Sequence, residues 1–453
     1  MRSILIFISL WAFTSGAMAE PIAFDRHVND SAELWTLAHA YWLQGETAGW
    51  FRPVSDAPDA DLRYPGYSNS PQSAFLGFRA YEIILKFNAE SLAGITISPY
   101  NRGDAGELSK TDFATLVAAI DKAVASWSGR KGALKPSRKL KSHMQIDSKT
   151  WVLTNTLVEM KWGTSKYAVL DQVSDRSAPG EKIKGFRAEY IQVILTPRAQ
   201  QPKASNPAGS SPAGDASARG IRKNVKKDNN GFVYIDNIPM VDQGQRGYCA
   251  VATAERLLKY YGKDIDQHTL AQLADTRTGG GTSAEAMFDM LRKMGLKFRV
   301  KAKTHVDFNA NIFLRFVEKY NFQAKKEKKG AINPIQNNII NVEKNYEAMD
   351  PGLLRRTRCE REPTGFKNFL ADIEKCVDQG IPLAWSVALG IVPETPQLPQ
   401  TKGGHMRIIF GYNKATKEIL YSDSWGAGHE RKVMGAEDAW TITHGLYSLD
   451  PRY

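Results

Sequence analysis

The chain has 453 residues, of which 42% are hydrophobic and 24% charged, and a formal net charge of +12. That length exceeds one ordinary core, and the composition excludes a fibrous or wholly disordered protein, so two soluble globular domains are expected. The excess of Lys and Arg suits anionic partners, an anionic cell-surface polymer among them. No nucleic-acid motif with a mechanism behind it is present, so no nucleic-acid partner is expected.

Arg2, the apolar run Ile4 to Phe13 and the small-x-small site Ala17-Met18-Ala19 read as a secretory signal peptide over residues 1–19. The run is shorter than the roughly 18–20 residues a spanning helix needs. The mature chain is therefore expected to be exported, secreted or periplasmic, with no transmembrane anchor.

Residues 20–197 have the pattern of an α+β accessory domain. Ser31 to Gln44 predicts a helix, capped by Ser31 and stopped at Gly45. Ala80 to Phe87 and Leu92 to Ser98 predict strands, and Asn101-Arg102-Gly103-Asp104 a turn. Thr111 to Trp127 predicts an amphipathic helix; Thr150 to Lys161 and Glu189 to Leu195 predict further strands. His27, His39 and His143 show no spacing typical of a site. Residues 198–230 are rich in Pro, Ala, Ser and Gly and then basic, which predicts a flexible linker.

Residues 231–453 carry the chemistry. Cys249 opens a predicted helix, Tyr248 to Tyr261. Asp266 to Ala274 predicts a second helix, with His268 on its surface. The capping box Thr282-Ser283-Ala284-Glu285 starts a third, which runs to Met294 before Gly295. Residues 299–364, basic and weakly periodic, predict an insertion that is helical at Ala310 to Tyr320. Phe366 to Cys376 predicts a helix and Ile381 to Ala388 a buried strand. Met406 to Tyr412 and Glu418 to Ser422 predict a hairpin.

Three cysteines is an odd number. In an oxidising compartment Cys359 and Cys376 are free to pair, which leaves Cys249 unpaired, as a nucleophile must be. A thiol at a helix N-terminus is biased towards thiolate. His405, at the start of the hairpin, is the candidate base, and Asp423, at the end of the next strand, the candidate orienter. His429 and His444 follow, but no strand logic aims them at the thiol. The Gln243 amide and the Cys249 N–H are candidate oxyanion donors. Gly244 and Gly247 let the loop between them fold tightly, and Trp425 can cover the His405–Asp423 bond. No Cys–His cluster has metal-ligand spacing, and the reaction calls for no cofactor.

The pattern Gln243-Gly244-x-x-Gly247-x-Cys249, a later histidine and Asp423-Ser424-Trp425-Gly426 resembles the papain-like cysteine peptidases. Asp423 stands where papain proper has Asn, and Ala250 where it has Trp. The aspartate, and the Thr282 helix followed by Gly295-Leu296, are similar to the bacterial double-glycine (bacteriocin-processing) branch. That branch's Cys-Gly-Pro start is replaced by Cys249-Ala250-Val251. The resemblance implies a helix carrying Cys249 packed on an antiparallel sheet carrying His405 and Asp423. It also implies hydrolysis of a protein or peptide substrate through a thioester. Transglutaminase-like acyl transfer and a catalytically inactive surface binding protein are the alternatives. For the N-terminal domain, an inhibitory pro-region and a targeting or substrate-capture module both remain open.

Overall fold

The computed structural model describes residues 22–65, 72–88, 91–141, 144–170, 181–198, 218–244, 247–274, 284–336, 339–395 and 398–452. The signal-peptide segment, most of the expected linker and the Thr282–Ser283 start of the capping box lie outside these residues. The fold is α+β, with helices laid on two large antiparallel sheets.

The N-terminal sheet runs Arg52–Pro53, Leu62–Tyr64, Glu82–Asn88, Ser91–Asn101, Glu181–Pro197, Thr156–Leu170, Met144–Val152 and Ala133–Leu134, with Arg138–Lys141 alongside Met144–Val152. The helix Lys110–Ser128 packs on it through Phe113, Ile120 and Val124. Ser109 caps its start by accepting from the Asp112 N–H, and Gly129 ends it in the left-handed region.

Two expectations for this half are corrected. Ser31 does cap a turn, since its hydroxyl accepts from the Leu34 N–H, but no continuous helix follows. A short 3-10 turn, Glu33–Thr36, and a short helix, His39–Leu43, are separated by extended backbone at Leu37 and Ala38. Trp35 and Trp42 are both buried, and Trp35 donates to Thr156 Oγ1 across the sheet; this tertiary seating overrides the helical spacing. The single strand expected over Thr150 to Lys161 is instead a hairpin turning at Leu153–Asn155. Asp30 fixes the turn by accepting from the backbone N–H groups of Thr154 and Asn155 at 2.8 and 2.9 Å.

The C-terminal sheet runs Val225–Lys227, Val233–Ile235, Gly403–Asn413, Leu383–Leu389, Thr443–Pro451 and Val300–Val306, with Glu418–Ser422 and Lys432–Gly435 extending the histidine strand's hairpin. The helix Cys249–Tyr260 buries Val251, Ala254, Leu257 and Leu258 in a core shared with Trp385, Met406 and Ile408 of the sheet. The expected linker is shorter than its composition suggests. Ile221 is buried in this core and Val225–Lys227 pairs with Val233–Ile235, so ordered structure begins before residue 231.

The expected insertion is also corrected at its start, because Val300–Val306 is an edge strand of the main sheet. The helices Ala310–Lys326, Val342–Ala348 and Pro351–Glu360 then form a separate small core around Phe313, Phe316, Tyr320, Tyr346 and Leu354. The third helix, Ala284–Phe298, does not stop before Gly295 but runs through it. The glycine is needed for a close approach: a Cβ there would lie 2.5 Å from the Val300 carbonyl oxygen, where the chain doubles back.

Helix propensity alone favours Gly295→Ala by up to about 1 kcal/mol, but the backbone clash opposes it at about 1–3 kcal/mol. The variant is expected to unfold at lower urea than wild type. A raised midpoint would contradict the close approach.

Candidate active site

The helix Cys249–Tyr260 begins at the candidate nucleophile, so the thiol sits at the positive end of the helix dipole. The strand Gly403–Asn413 carries His405, paired opposite Val387. The strand Glu418–Ser422 pairs with it, and Asp423 is the next residue. This register brings the carboxylate back beside the imidazole. His405 Nε2 lies 3.1 Å from Asp423 Oδ1, and both side chains are fully buried. Nδ1 is buried with no hydrogen-bond partner, so it is the ring nitrogen that Asp423 leaves free, and the His405 charge acts on the Cys249 thiol.

The electrostatics favour a charged pair. Burial alone would raise the Cys249 thiol; the hydrogen bond and charge of His405 outweigh it, so the thiol falls below its ordinary pKa. Burial alone would lower His405; the bonds to Asp423 and Cys249 outweigh it, so the imidazole rises above its ordinary pKa.

Gln243 is brought to the same place. Its N–H donates to the Ser424 carbonyl at 2.8 Å, and the Ser424 hydroxyl donates to its Oε1 at 2.7 Å. With the oxygen end engaged, the amide NH2 is the end offered as a donor. Gly244, at φ +75°, and Gly247, at φ +30°, take backbone that other residues avoid. Trp425 stacks on His405 with ring centroids 4.1 Å apart and planes within 7°. The structure thus brings together Cys249, His405, Asp423, Gln243 and Trp425.

Residues 235–448 match the model of the Peptidase_C39 like family. Over those residues the chain is similar to a cysteine peptidase family, in keeping with the papain-like resemblance of its motifs. The protein is accordingly a cysteine-type peptidase. The solved structure of xylellain, a cysteine protease from Xylella fastidiosa, is similar at 10% identity and a TM-score of 0.27, covering 56% of this chain and 95% of that one. No curated protein matches the chain.

The peptidase domain holds its carboxylate in a way the motif does not announce. Asp423 Oδ1 also accepts from Arg407 Nε at 2.7 Å, and Oδ2 accepts from Lys432 Nζ at 3.2 Å. Arg407 donates onward to both oxygens of Glu394 at 2.9 Å, and the Tyr421 hydroxyl donates to Glu394 at 2.6 Å. Burial would raise the Asp423 carboxyl, but the Arg407 charge, the His405 bond and Lys432 hold it well below the usual carboxylate range. Arg256, on the cysteine helix, donates to the Asp423 carbonyl, the Ser422 hydroxyl and the Pro239 carbonyl, which ties the helix, the strand and the segment leading to Gln243 together. Alternation along the strand puts Arg407 on the face of His405 and was the available signal for it; Glu394, Lys432 and Arg256 had none.

Other expected residues lie elsewhere. Cys359 and Cys376 are free thiols and not a disulfide. Cys359 donates to the Glu437 carbonyl at 3.6 Å, while Cys376 faces His305 Nε2 at 3.9 Å, so each has its own neighbour on a different element. Burial raises both, to about 11 and about 12. His268 is no surface residue: it is buried and sits 2.9 Å from Glu82 of the N-terminal domain. His429 lies edge-on to Trp425. His444 stacks on Phe308, and burial, aided by the Arg358 charge, lowers it to about 3. A cavity of about 350 Å3 opens beside Gly403 and Gly404, between Ala388–Ile391 and the insertion residues Phe308, Tyr346 and Leu354. Tyr346 and His444 are among the residues that line it, and the Tyr346 hydroxyl and His444 Nε2 are themselves buried without hydrogen-bond partners. Among the described residues no group of His, Cys, Asp or Glu is arranged to hold a metal, and no helix is long and apolar enough to cross a membrane.

The papain-like residue Asn is nearly isosteric with Asp423, yet Asp423→Asn is expected to be costly here. It removes the negative charge between Arg407 and Lys432, and breaking a buried pair costs about 3–5 kcal/mol. Because the folded-state pKa of Asp423 lies below its unfolded value, its ionisation contributes stability above the ordinary carboxylate range that is lost as pH falls through the folded value. Urea titrations from neutral to acid pH should show a lower midpoint for the variant at neutral pH and a shallower acid loss. Equal midpoints at neutral pH would contradict the role of the network.

Proposed function

We propose that the protein is an exported peptidase that hydrolyses peptide bonds with Cys249 as nucleophile, His405 as acid and base, and Asp423 as the group that orients His405. The observation that carries this reading is the His405 ring itself, with Nε2 held by Asp423 and Nδ1 left for the thiol. In the first step the Cys249 thiolate attacks the scissile carbonyl carbon. The oxyanion that forms is met by the Cys249 N–H and the Gln243 amide. His405 gives its Nδ1 proton to the leaving amine, and the C–N bond breaks to leave a thioester. Water, deprotonated by His405, then attacks the thioester and frees the acid and the thiol. Trp425, stacked on the imidazole, keeps water from the His405–Asp423 bond.

The cavity beside Gly403–Gly404 suits an apolar or aromatic substrate side chain, given that Phe308, Tyr346, Leu354 and His444 line it. Export, to the periplasm or beyond, is supported by the N-terminal sequence pattern.

The test is the rate of Cys249 alkylation by iodoacetamide against pH, with casein turnover alongside. A thiolate–imidazolium pair exists between the depressed thiol pKa and the raised imidazole pKa. Alkylation should therefore persist well below the ordinary thiol pKa of about 8.5 and fall only as pH drops through the lowered value. In His405→Ala the rate should follow an ordinary thiol, and Cys249→Ala should lose casein turnover. An ordinary thiol profile in wild type, or turnover by Cys249→Ala, would overturn the assignment.

A further inference from the structure

We infer that the N-terminal domain completes the active site, with Arg63, Glu82 and Arg52 acting as positioning residues for the loop that carries Gln243. This rests on the reading of Gln243 as an oxyanion donor.

Neighbouring strands of the N-terminal sheet grip that loop from behind. Arg52, on the edge strand, pairs with Asp242 at 2.5 Å, and Asp242 Oδ1 accepts from the Gly244 N–H at 2.8 Å. Arg63, on the next strand, closes on Gly244, where an added Cβ would collide with its guanidinium. Glu82, on the third, accepts from Arg63 Nε at 3.0 Å and faces His268 Nε2 at 2.9 Å, on the short helix Gln267–Leu273. The Gln267 amide donates to Glu82 and to the Asp242 carbonyl, both at 3.4 Å, which closes the ring. Arg63, Glu82, Gln243 and Tyr248 share the wall of one small polar cavity of about 10 Å3, so the brace and the residue it would position meet at one place. Tyr248, the residue before the thiol, packs its hydroxyl end on Gly103, where a Cβ would lie 2.6 Å away.

These contacts are buried and directional. Arg63, Glu82, Asp242, Gln267 and His268 are each no more than 6% exposed. Such charged contacts fix geometry more than they add stability. A donor displaced by about 1 Å can cost up to about a hundredfold in rate. A domain placed to inhibit would be expected to release activity when its grip is loosened, whereas a brace loses it.

Two reactions of the same thiol separate these cases. Acylation by p-nitrophenyl acetate forms an S–C(=O) bond through an oxyanion and expels nitrophenolate. Alkylation by iodoacetamide forms an S–CH2 bond, expels iodide and makes no oxyanion. In the full-length protein, Arg63→Gln is expected to slow the nitrophenolate burst by about tenfold to a hundredfold. The alkylation rate and its pH profile should stay within about twofold of wild type, since neither depends on an oxyanion donor. Arg63→Lys should recover part of the loss. Arg52→Gln, at a partly exposed position, should show a smaller loss of the same kind. An unchanged or faster burst in Arg63→Gln and Arg52→Gln overturns the inference, as does a parallel fall in both reactions. Loss of acylation in Cys249→Ala, with full acylation in the brace variants, sinks this inference alone; acylation that survives Cys249→Ala sinks the assignment of the thiol.

Discussion

Asp423 is a carboxylate with no exposed surface, and the geometry around the thiol follows from how its charge is balanced. A lone buried carboxylate would take up a proton. Arg407 and Lys432 prevent this, and Glu394 answers the excess positive charge they bring. The carboxylate that results stays ionised well below the usual carboxylate range and has one oxygen shared between Arg407 and His405. That fixes the ring and favours its protonated form, which in turn favours the thiolate. Papain proper orients its histidine with a neutral amide; here the same place is filled by an ion that needs a buried cation network around it.

The grouping of Cys249, Gln243, His405 and Asp423 was legible in the sequence because these residues sit in short blocks with strong local signals. Cys249 opens a helix, Gln243 lies six residues before it, and the hairpin register returns Asp423 to His405. What was not legible depends on long-range contact. Lys432 and Glu394 are unremarkable in sequence and acquire meaning only where the sheet folds them onto Asp423. His268 read as a surface residue because its partner, Glu82, is 186 positions away in another domain. The break in the first helix and the hairpin at Leu153 have the same origin: Trp35 and Asp30 reach across the sheet and override local propensity. The expected disulfide failed for a related reason, since spacing along the chain says nothing of which element each thiol faces.

The two halves of the chain are joined through buried polar groups as well as apolar ones. Met144, Ile146 and Tyr190 of the N-terminal sheet belong to the peptidase core, and the Tyr190 hydroxyl is 3.4 Å from Thr269 Oγ1. Lys161 pairs with Asp266, the cap of the Gln267–Leu273 helix. The family match covers only residues 235–448, yet the segment before it supplies charges that meet the loop carrying Gln243. The small core of the insertion plays a comparable part on the other side, walling the cavity beside Gly403 and Gly404.

The central claim is that the buried network keeps His405 charged beside a thiolate. The direct measurement is the protonation state of the His405 ring, followed by nitrogen NMR of the imidazole across pH in wild type and in Cys249→Ala. The account predicts an imidazolium that persists above the ordinary histidine pKa of about 6.5 in wild type and loses its proton at lower pH once the thiolate is gone. A neutral ring at and below the ordinary value in wild type, or the same titration in both proteins, would contradict it.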